Sequence, residues 1–212
     1  MYLLTCTTSD LAFSVSYLSH FSCHSLERHH TTVKRVFRYL AGTRYMSLLY
    51  KLSPTSVPLS IVAFSDCDYA SCPDTRRSIS GYAFVFNGCA ISWLSKQQQS
   101  IASSTTEAEN MAVATTSRQA VWYLYGFTQL SYSIPMMIMA ANTSSSSVAE
   151  NPINNPGMKH IDDSYLFIRE HRIRKAFAFP CVPSNDNTAD LMTKGLNSVG
   201  DHGHTQRLDL SE

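Results

Sequence analysis

Gly81-Tyr82-Ala83-Phe84-Val85-Phe86-Asn87-Gly88-Cys89-Ala90-Ile91-Ser92-Trp93-Leu94 holds two apolar, aromatic-rich runs separated by Asn-Gly. That dipeptide is the strongest short-range hairpin signal, because a type I′ turn needs positive φ at both central residues. The stretch predicts two antiparallel strands, from Gly81 to Phe86 and from Ala90 to Leu94. Upstream, Leu59-Ser60-Ile61-Val62-Ala63-Phe64 is apolar on both faces, as a central strand requires, and delivers Asp66 at its C-terminal end. Downstream, Ser103 to Thr106 opens a helix, with Ser104-x-x-Glu107 or Thr106-x-x-Glu109 as capping boxes. Ala108, Met111, Ala112, Ala120 and Leu124 form its apolar stripe until Gly126. A short strand is expected from Met136 to Ala141, a helix from His160 to Arg169 and a last strand from Phe177 to Val182. Asn187 or Thr188 then caps a final helix that carries Asp190 and ends at Gly195. The order β-β-β-α-β-α-β-α predicts an α/β domain with a mixed five-stranded sheet flanked by helices, over residues 59–196.

Residues 1–50 read differently. Leu11, Val15 and Leu18, then Val33, Val36, Phe37 and Leu40, recur at helical spacing, and Gly42 stops the second helix. They predict a short helical appendage without a complete core of its own. Pro54 to Pro58 marks a linker, placed at 51–58. Residues 197–212 are expected to form a disordered tail.

With 212 residues, 44% of them hydrophobic, the chain is long enough for one sizeable core plus an appendage. Seventeen Lys and Arg against sixteen Asp and Glu leave a net charge of +1, so any nucleic-acid surface must be local rather than global. Arg28, Lys34, Arg35, Arg38 and Arg44 crowd the second helix and its exit; they read either as a solvated face or as contacts to a phosphate backbone. Six cysteines show no CxxC spacing and predict reduced thiols in an intracellular protein, in cytoplasm or nucleus. The segment Tyr2 to Leu18 lacks a basic n-region and is too polar to span a membrane. Eight histidines invite a zinc reading, but none is paired with cysteines at a finger spacing.

Three short acidic segments stand out: Phe64-Ser65-Asp66-Cys67-Asp68, Glu107-Ala108-Glu109 and Ala189-Asp190-Leu191. Two hard divalent ions a few ångströms apart need clustered anionic oxygens, so the set suggests a metal nuclease. Each residue has a plainer reading. Asp66 could end a strand as a turn residue, Glu109 could cap its helix, and Asp190 could be a first-turn charge that suits the helix dipole. Asp66, Glu109 and Asp190 are expected to converge, with Asp66 and Glu109 on one face of the sheet. Asp68 and Glu107 are expected to point away, Glu107 as a cap. One more carboxylate belongs in Ile138-Met139-Ala140-Ala141-Asn142, and the chain offers Ala141.

Six ordered stretches carry a family resemblance. They are Asp66-Cys67-Asp68-Tyr69-Ala70, Asp74-Thr75-Arg76-Arg77-Ser78-Ile79-Ser80-Gly81-Tyr82, Ile91-Ser92-Trp93, Ser103-Ser104-Thr105-Thr106-Glu107-Ala108-Glu109, Lys159-His160-Ile161-Asp162 and Ala189-Asp190-Leu191-Met192-Thr193-Lys194-Gly195-Leu196. Together they resemble the ribonuclease H domain of copia-type retrotransposon Pol polyproteins. The N-terminal part, from Asp10-Leu11-Ala12-Phe13 through Tyr39-Leu40-Ala41-Gly42-Thr43, is similar to the end of the reverse transcriptase that precedes ribonuclease H there. The resemblance implies a ribonuclease H-like fold, cleavage of RNA in RNA/DNA hybrids, and Mg²⁺ (or Mn²⁺) held by four carboxylates, within a polyprotein that also carries reverse transcriptase. By position, Asp66, Glu109 and Asp190 match three of the four carboxylates and Ala141 stands at the fourth. This implies weakened metal binding and impaired cleavage. Arg76, Arg77 and Arg35 are the candidate nucleic-acid contacts. A module that keeps the fold but only binds nucleic acid or a protein partner is the alternative, and no membrane partner is expected.

Overall fold

The computed structural model describes residues 5–50, 59–140, 166–168, 170–171, 176–195, 208 and 210–211. A 3-10 turn at Ser9–Leu11 runs into α1 (Ala12–Ser19), followed by α2 (Glu27–Gly42) and the short β1 (Ser47–Leu48). The central part comprises β2 (Ile61–Asp68), β3 (Ile79–Phe86), β4 (Cys89–Gln97), α3 (Thr105–Gln129) and β5 (Met136–Ala140). A 3-10 turn at Thr188–Met192 and β6 (Leu210–Ser211) complete the described elements.

The hairpin forms where the turn chemistry requires it. Asn87 and Gly88 adopt φ of 52° and 87°, joining β3 to β4. Strands run in the order β4-β3-β2-β5, with β2–β3–β4 antiparallel and β5 parallel to β2. Three antiparallel strands, a helix and a parallel strand make this the mixed α/β arrangement of ribonuclease H-like folds. Four strands are continuous where five were expected. The fifth survives as two isolated parallel bridges, Met137 with Ala178 and Ala140 with Cys181. Ile138 N donates to Ala178 O at 2.8 Å and Val182 N to Ala140 O at 3.1 Å. Pro180 lies between the bridges and has no N–H to donate, so the ladder breaks there. The predicted helix from His160 lies largely outside the described residues, as does Ala141, the last residue of the expected fourth strand; residues 166–168 within that helix are helical.

Strand alternation divides the core in two. On one face Ile61, Ala63, Tyr82, Phe84 and Ile138 pack under α3 at Ala120, together with Met136 and Phe177. Fully burying each large side chain of this set stabilises by about 1.5–3 kcal/mol. On the other face Ala83, Val85 and Ala90 meet Ala12 of α1, Leu191 and Met192 of the C-terminal turn, and Leu208. The N-terminal helix therefore shares a core with the sheet, and the Ser16 hydroxyl donates to Ser95 O at 2.9 Å. By contrast α2 buries none of its residues; it packs against α1, with the Tyr39 hydroxyl donating to Asp10. The tail departs from expectation at two points. Leu208 is fully buried, and Leu210–Ser211 pairs antiparallel with Ser47–Leu48, because Leu208 supplies apolar area to the second core.

Candidate metal and nuclease site

Asp66 lies near the C-terminal end of β2, within the sheet. Among the described residues β5 accompanies β2 from Ile61 opposite Met136 to Ser65 opposite Ala140. From Asp66 onward, β2 has a described partner on the β3 side alone, where Asp66 faces Gly81. Alternation sends Asp66 toward the face that carries the Thr188–Met192 turn, whereas α3 and Glu109 belong to the other face. The single shared face expected of these two residues is thus not what forms. The carboxyls nevertheless interact electrostatically at the end of β2.

The C-terminal turn is seated by a missing side chain. A Cβ on Gly81 would lie 2.6 Å from Met192 Cβ, 2.7 Å from Thr193 Cγ2 and 3.2 Å from Ala189 O. Only glycine lets the turn lie flat on β3 beside Asp66. Asn187, fully buried, fixes the turn from the other end. Its Nδ2 donates to Ser65 O at 2.9 Å and its Oδ1 accepts from Ala189 N at 3.2 Å, as an N-cap should. The resulting helix is 3-10 rather than α. Asp190 is held at 7% exposure and Asp66 at 5%. The Thr193 hydroxyl donates to Asp66 Oδ2 at 2.5 Å, and Lys194 Nζ lies 2.9 Å from Asp190 Oδ2.

At the start of α3 the two glutamates divide as expected. Ser104 accepts from Glu107 N, and the Glu107 carboxylate turns back to accept from the Ser103 backbone N–H and hydroxyl, which caps the helix. Glu109, one half-turn on, faces the acidic site instead. Burial above all, together with the charges of Asp66 and Asp190 and against that of Lys194, pushes its carboxyl up to about 8. Burial likewise raises Asp66, partly offset by Thr193 and reinforced by Asp190. Both shifts have the physical origin of crowded acids. Asp68 does not stand apart as expected. Two positions along a strand return to the same face, and its carboxyl is raised by burial and by Asp66 and lowered by Lys194 and Ser71. It is a partly exposed rim member of the same cluster.

The donor set suits a hard divalent ion in chemical type, being all carboxylate oxygen. Two of its acceptors, Glu109 Oε2 and Asp190 Oδ1, are buried without a hydrogen-bond donor, which is costly unless a cation meets them. Among the described residues, no three His, Cys, Asp or Glu side chains are already gathered into a group that could hold a metal ion. Arg76 and Arg77 are exposed on the connection that leaves β2 beyond Asp68, in a turn closed by Arg76 N on Cys72 O at 2.8 Å, with Arg76 at φ 56°. Arg35 is exposed on α2, away from these elements in sequence and packing.

One further residue escaped the sequence reading. Gln98, 6% exposed, donates through Nε2 to Ser80 Oγ at 2.8 Å, Ala108 O at 2.9 Å and Cys67 Sγ at 3.5 Å. It ties the residues next to Asp66 and Glu109 to each other, and nothing in a run of three glutamines singles it out. For Gly81, a glycine inside a strand was the available signal.

Among the described residues no helix is long and apolar enough to cross a membrane. No family model matches the chain. The retrovirus-related Pol polyproteins from transposons RE2 and RE1 of Arabidopsis thaliana are 34% and 35% identical to it, each over 98% of the chain. The chain spans 14% of the length of either polyprotein. The secreted RxLR effector protein 161 of Plasmopara viticola is 41% identical over 58% of this chain and 84% of its own length. Among solved structures, a ribonuclease H1 in complex with RNA/DNA hybrid superposes with a TM-score of 0.47 at 14% identity, covering 63% of this chain and 94% of that one. The N-terminal ribonuclease H domain of a Mycobacterium tuberculosis protein gives 0.47 at 11% identity, over 70% and 97%. With sequence similarity sustained from end to end against the transposon proteins, the chain belongs to the family of copia-type retrovirus-related Pol polyproteins.

Proposed function

We propose that residues 59–196 are the ribonuclease H segment of a copia-type Pol polyprotein, a nuclease for the RNA strand of RNA/DNA hybrids that uses Mg²⁺ or Mn²⁺, and that Ala141 impairs it. In this reading residues 1–50 continue a preceding reverse transcriptase, 51–58 link the two, and the protein works inside the cell. The observation that supports the proposal is that the carboxyls of Asp66, Glu109 and Asp190 lie within electrostatic reach of one another near the end of β2, with Glu109 Oε2 and Asp190 Oδ1 buried and undonated.

Asp66 interacts with Asp190 and, electrostatically, with Glu109, which makes it the natural candidate for a shared ligand. Glu109 completes one side from α3 and Asp190 the other from the C-terminal turn. The Thr193 hydroxyl fixes the orientation of Asp66. Divalent ions held by Asp66, Glu109 and Asp190 would supply activation of a water and stabilisation of the leaving oxygen. Arg76 and Arg77 stand next to the site to hold phosphates of the hybrid, with Arg35 as a more remote contact. Ala141 follows Ala140, the register partner of the residue preceding Asp66. An aspartate there would supply the fourth carboxylate; alanine supplies none, and a weakly held ion costs on the order of 10²-fold in rate.

The test is hybrid cleavage by the full chain under Mg²⁺ and Mn²⁺ titration, alongside Ala141→Asp and Asp66→Asn. Slow cleavage favouring Mn²⁺, raised at least roughly tenfold by Ala141→Asp and lost in Asp66→Asn, is expected. Fast cleavage in millimolar Mg²⁺ that Ala141→Asp leaves unchanged would remove Ala141 from the argument. The absent fourth carboxylate also favours a second reading, a hybrid-binding module without catalysis. It predicts salt-sensitive hybrid binding and no cleavage even in Ala141→Asp.

A further inference from the structure

The acidic cluster already holds a cation of its own. Lys194 follows Thr193, and both of their backbone N–H groups close on Asp190 O at 3.2 Å, folding the chain back over the carboxylate of the same residue. The ammonium then lies 2.9 Å from Asp190 Oδ2, while Asp190 Oδ1 meets no donor. The Lys194 side chain is 42% exposed and that of Asp190 10%, so the charge sits at the mouth of the site with its acidic partner inside. Exposed pairs of this spacing contribute little to stability, but here one partner is nearly buried beside a second buried carboxylate, Asp66. Lys194 also lies within electrostatic reach of Asp66 and Asp68.

We propose that Lys194 is a built-in counter-ion of the metal-free site, which neutralises Asp190 and Asp66 when no metal is bound and which a divalent ion must displace in order to bind. The inference rests on the metal-site reading above. With three site carboxylates instead of four, the balance between the tethered ammonium and a free divalent ion is tilted toward the ammonium. A tethered charge is always present at high local concentration, whereas the metal must compete from solution. Lys194 is therefore a positioning residue that sets the threshold metal concentration.

The experiment uses the full chain with Lys194→Met, Lys194→Gln and Lys194→Arg, and Mn²⁺ as the probe. Mn²⁺ affinity is read by calorimetry, and the thermal midpoint is read in chelator and in excess Mn²⁺. Removing a like charge one ion-pair distance from the metal should tighten Mn²⁺ binding roughly tenfold in the Met and Gln variants. In chelator their midpoints should fall by roughly 2–4 °C, because Asp190 loses its partner, and Mn²⁺ should recover more than that loss. Lys194→Arg keeps the charge and should behave as the parent chain. Unchanged or weaker Mn²⁺ binding in both neutral variants, with the parent chain binding Mn²⁺, overturns the counter-ion role alone. If neither the parent nor any variant binds Mn²⁺, the metal-site reading fails and takes this inference with it. The Gln variant retains a polar end, so the test stands even if the Met variant does not fold.

Discussion

The two ends of α3 obey opposite packing rules. Its first half buries Ala108, Asn110, Ala112, Val113, Ala114, Thr116, Ser117 and Ala120, nearly all of them small and several polar. Beyond it, Trp122 and Tyr125 are each 65% exposed, and Leu130 and Tyr132 just past its end are 67% and 60% exposed. The helix is thus most buried where its side chains are smallest, whereas in its distal part Tyr123, Leu124 and Phe127 pack only partly buried against the core while Trp122 and Tyr125 stand open. Small residues bring backbones close, and close backbones let Thr116 reach Ser65 Oγ at 3.0 Å and Gln98 reach Ala108 O. At the site end, then, position is fixed by short polar links and by absent atoms. At the distal end the large side chains leave room for change.

The sharpest way to break that contrast is to remove charge at the site end without changing shape. Asp66→Asn is isosteric, and its expected effect is the loss of all detectable cleavage, at least roughly 10²-fold, with an unchanged circular dichroism spectrum. A retained rate would show that the polar links around Asp66 serve packing alone.

Gly81→Ala comes next. The added Cβ meets Met192 Cβ at 2.6 Å and backbone Ala189 O at 3.2 Å, and overpacking of this kind costs about 1–3 kcal/mol. A fall of several degrees in the thermal midpoint and weaker Mn²⁺ binding are expected together, because the turn that is pushed away carries Asp190. Stability lost with metal binding intact would detach the turn from the site.

Glu109 gives a smaller, pH-dependent effect. Its carboxyl holds a proton more tightly in the folded chain, up to about 8, than at its ordinary value of 4.5. The contribution to stability is therefore full below pH ~4.5 and is lost as pH rises toward about 8, the sense required for a raised acid. In chelator the midpoint should decline across that window, and Glu109→Gln should flatten the decline, standing roughly 3 °C above the parent at pH 8. Parallel curves for the two proteins would refute it.

Gly126 completes the series at the distal end of α3. A Cβ there would meet nothing within 4 Å, so Gly126→Ala should stabilise by about 0.5–1 kcal/mol, measured by urea denaturation. The same chemical change thus carries opposite signs at Gly81 and Gly126. Equal signs would dissolve the contrast.

Legibility in the sequence follows the range of the physics involved. The Asn87-Gly88 hairpin is readable because its requirement is local, two residues with positive φ. The helix start is readable for the same reason, with Ser104 and Glu107 three positions apart. The fifth strand is half readable, since its apolar pattern is present but Pro180 interrupts the ladder. The convergence of Glu109 with Asp66 is foreshadowed by resemblance, yet its route is not. No local pattern says that α3 and the C-terminal turn, packed on opposite faces of the sheet, bring their carboxyls into reach of one another at the end of β2. Asn187, which bonds Ser65 across 122 residues, and Gln98, one of three consecutive glutamines, were invisible for want of any local signature.

The parallel pairing of β2 with β5 and the bond from Asn187 to Ser65 also set a clock. The chain must close a loop of 122 residues before Asp190 can stand beside Asp66. Contacts of such separation form late and slow folding. During synthesis at about 5–20 residues per second, Asn187 leaves the ribosome roughly 6–25 s after Ser65. The hairpin and α3 can therefore be in place on a nascent chain that lacks its third carboxylate. Whatever chemistry the assembled cluster performs is withheld until the C-terminal turn has docked, so a stalled or truncated chain carries an incomplete cluster.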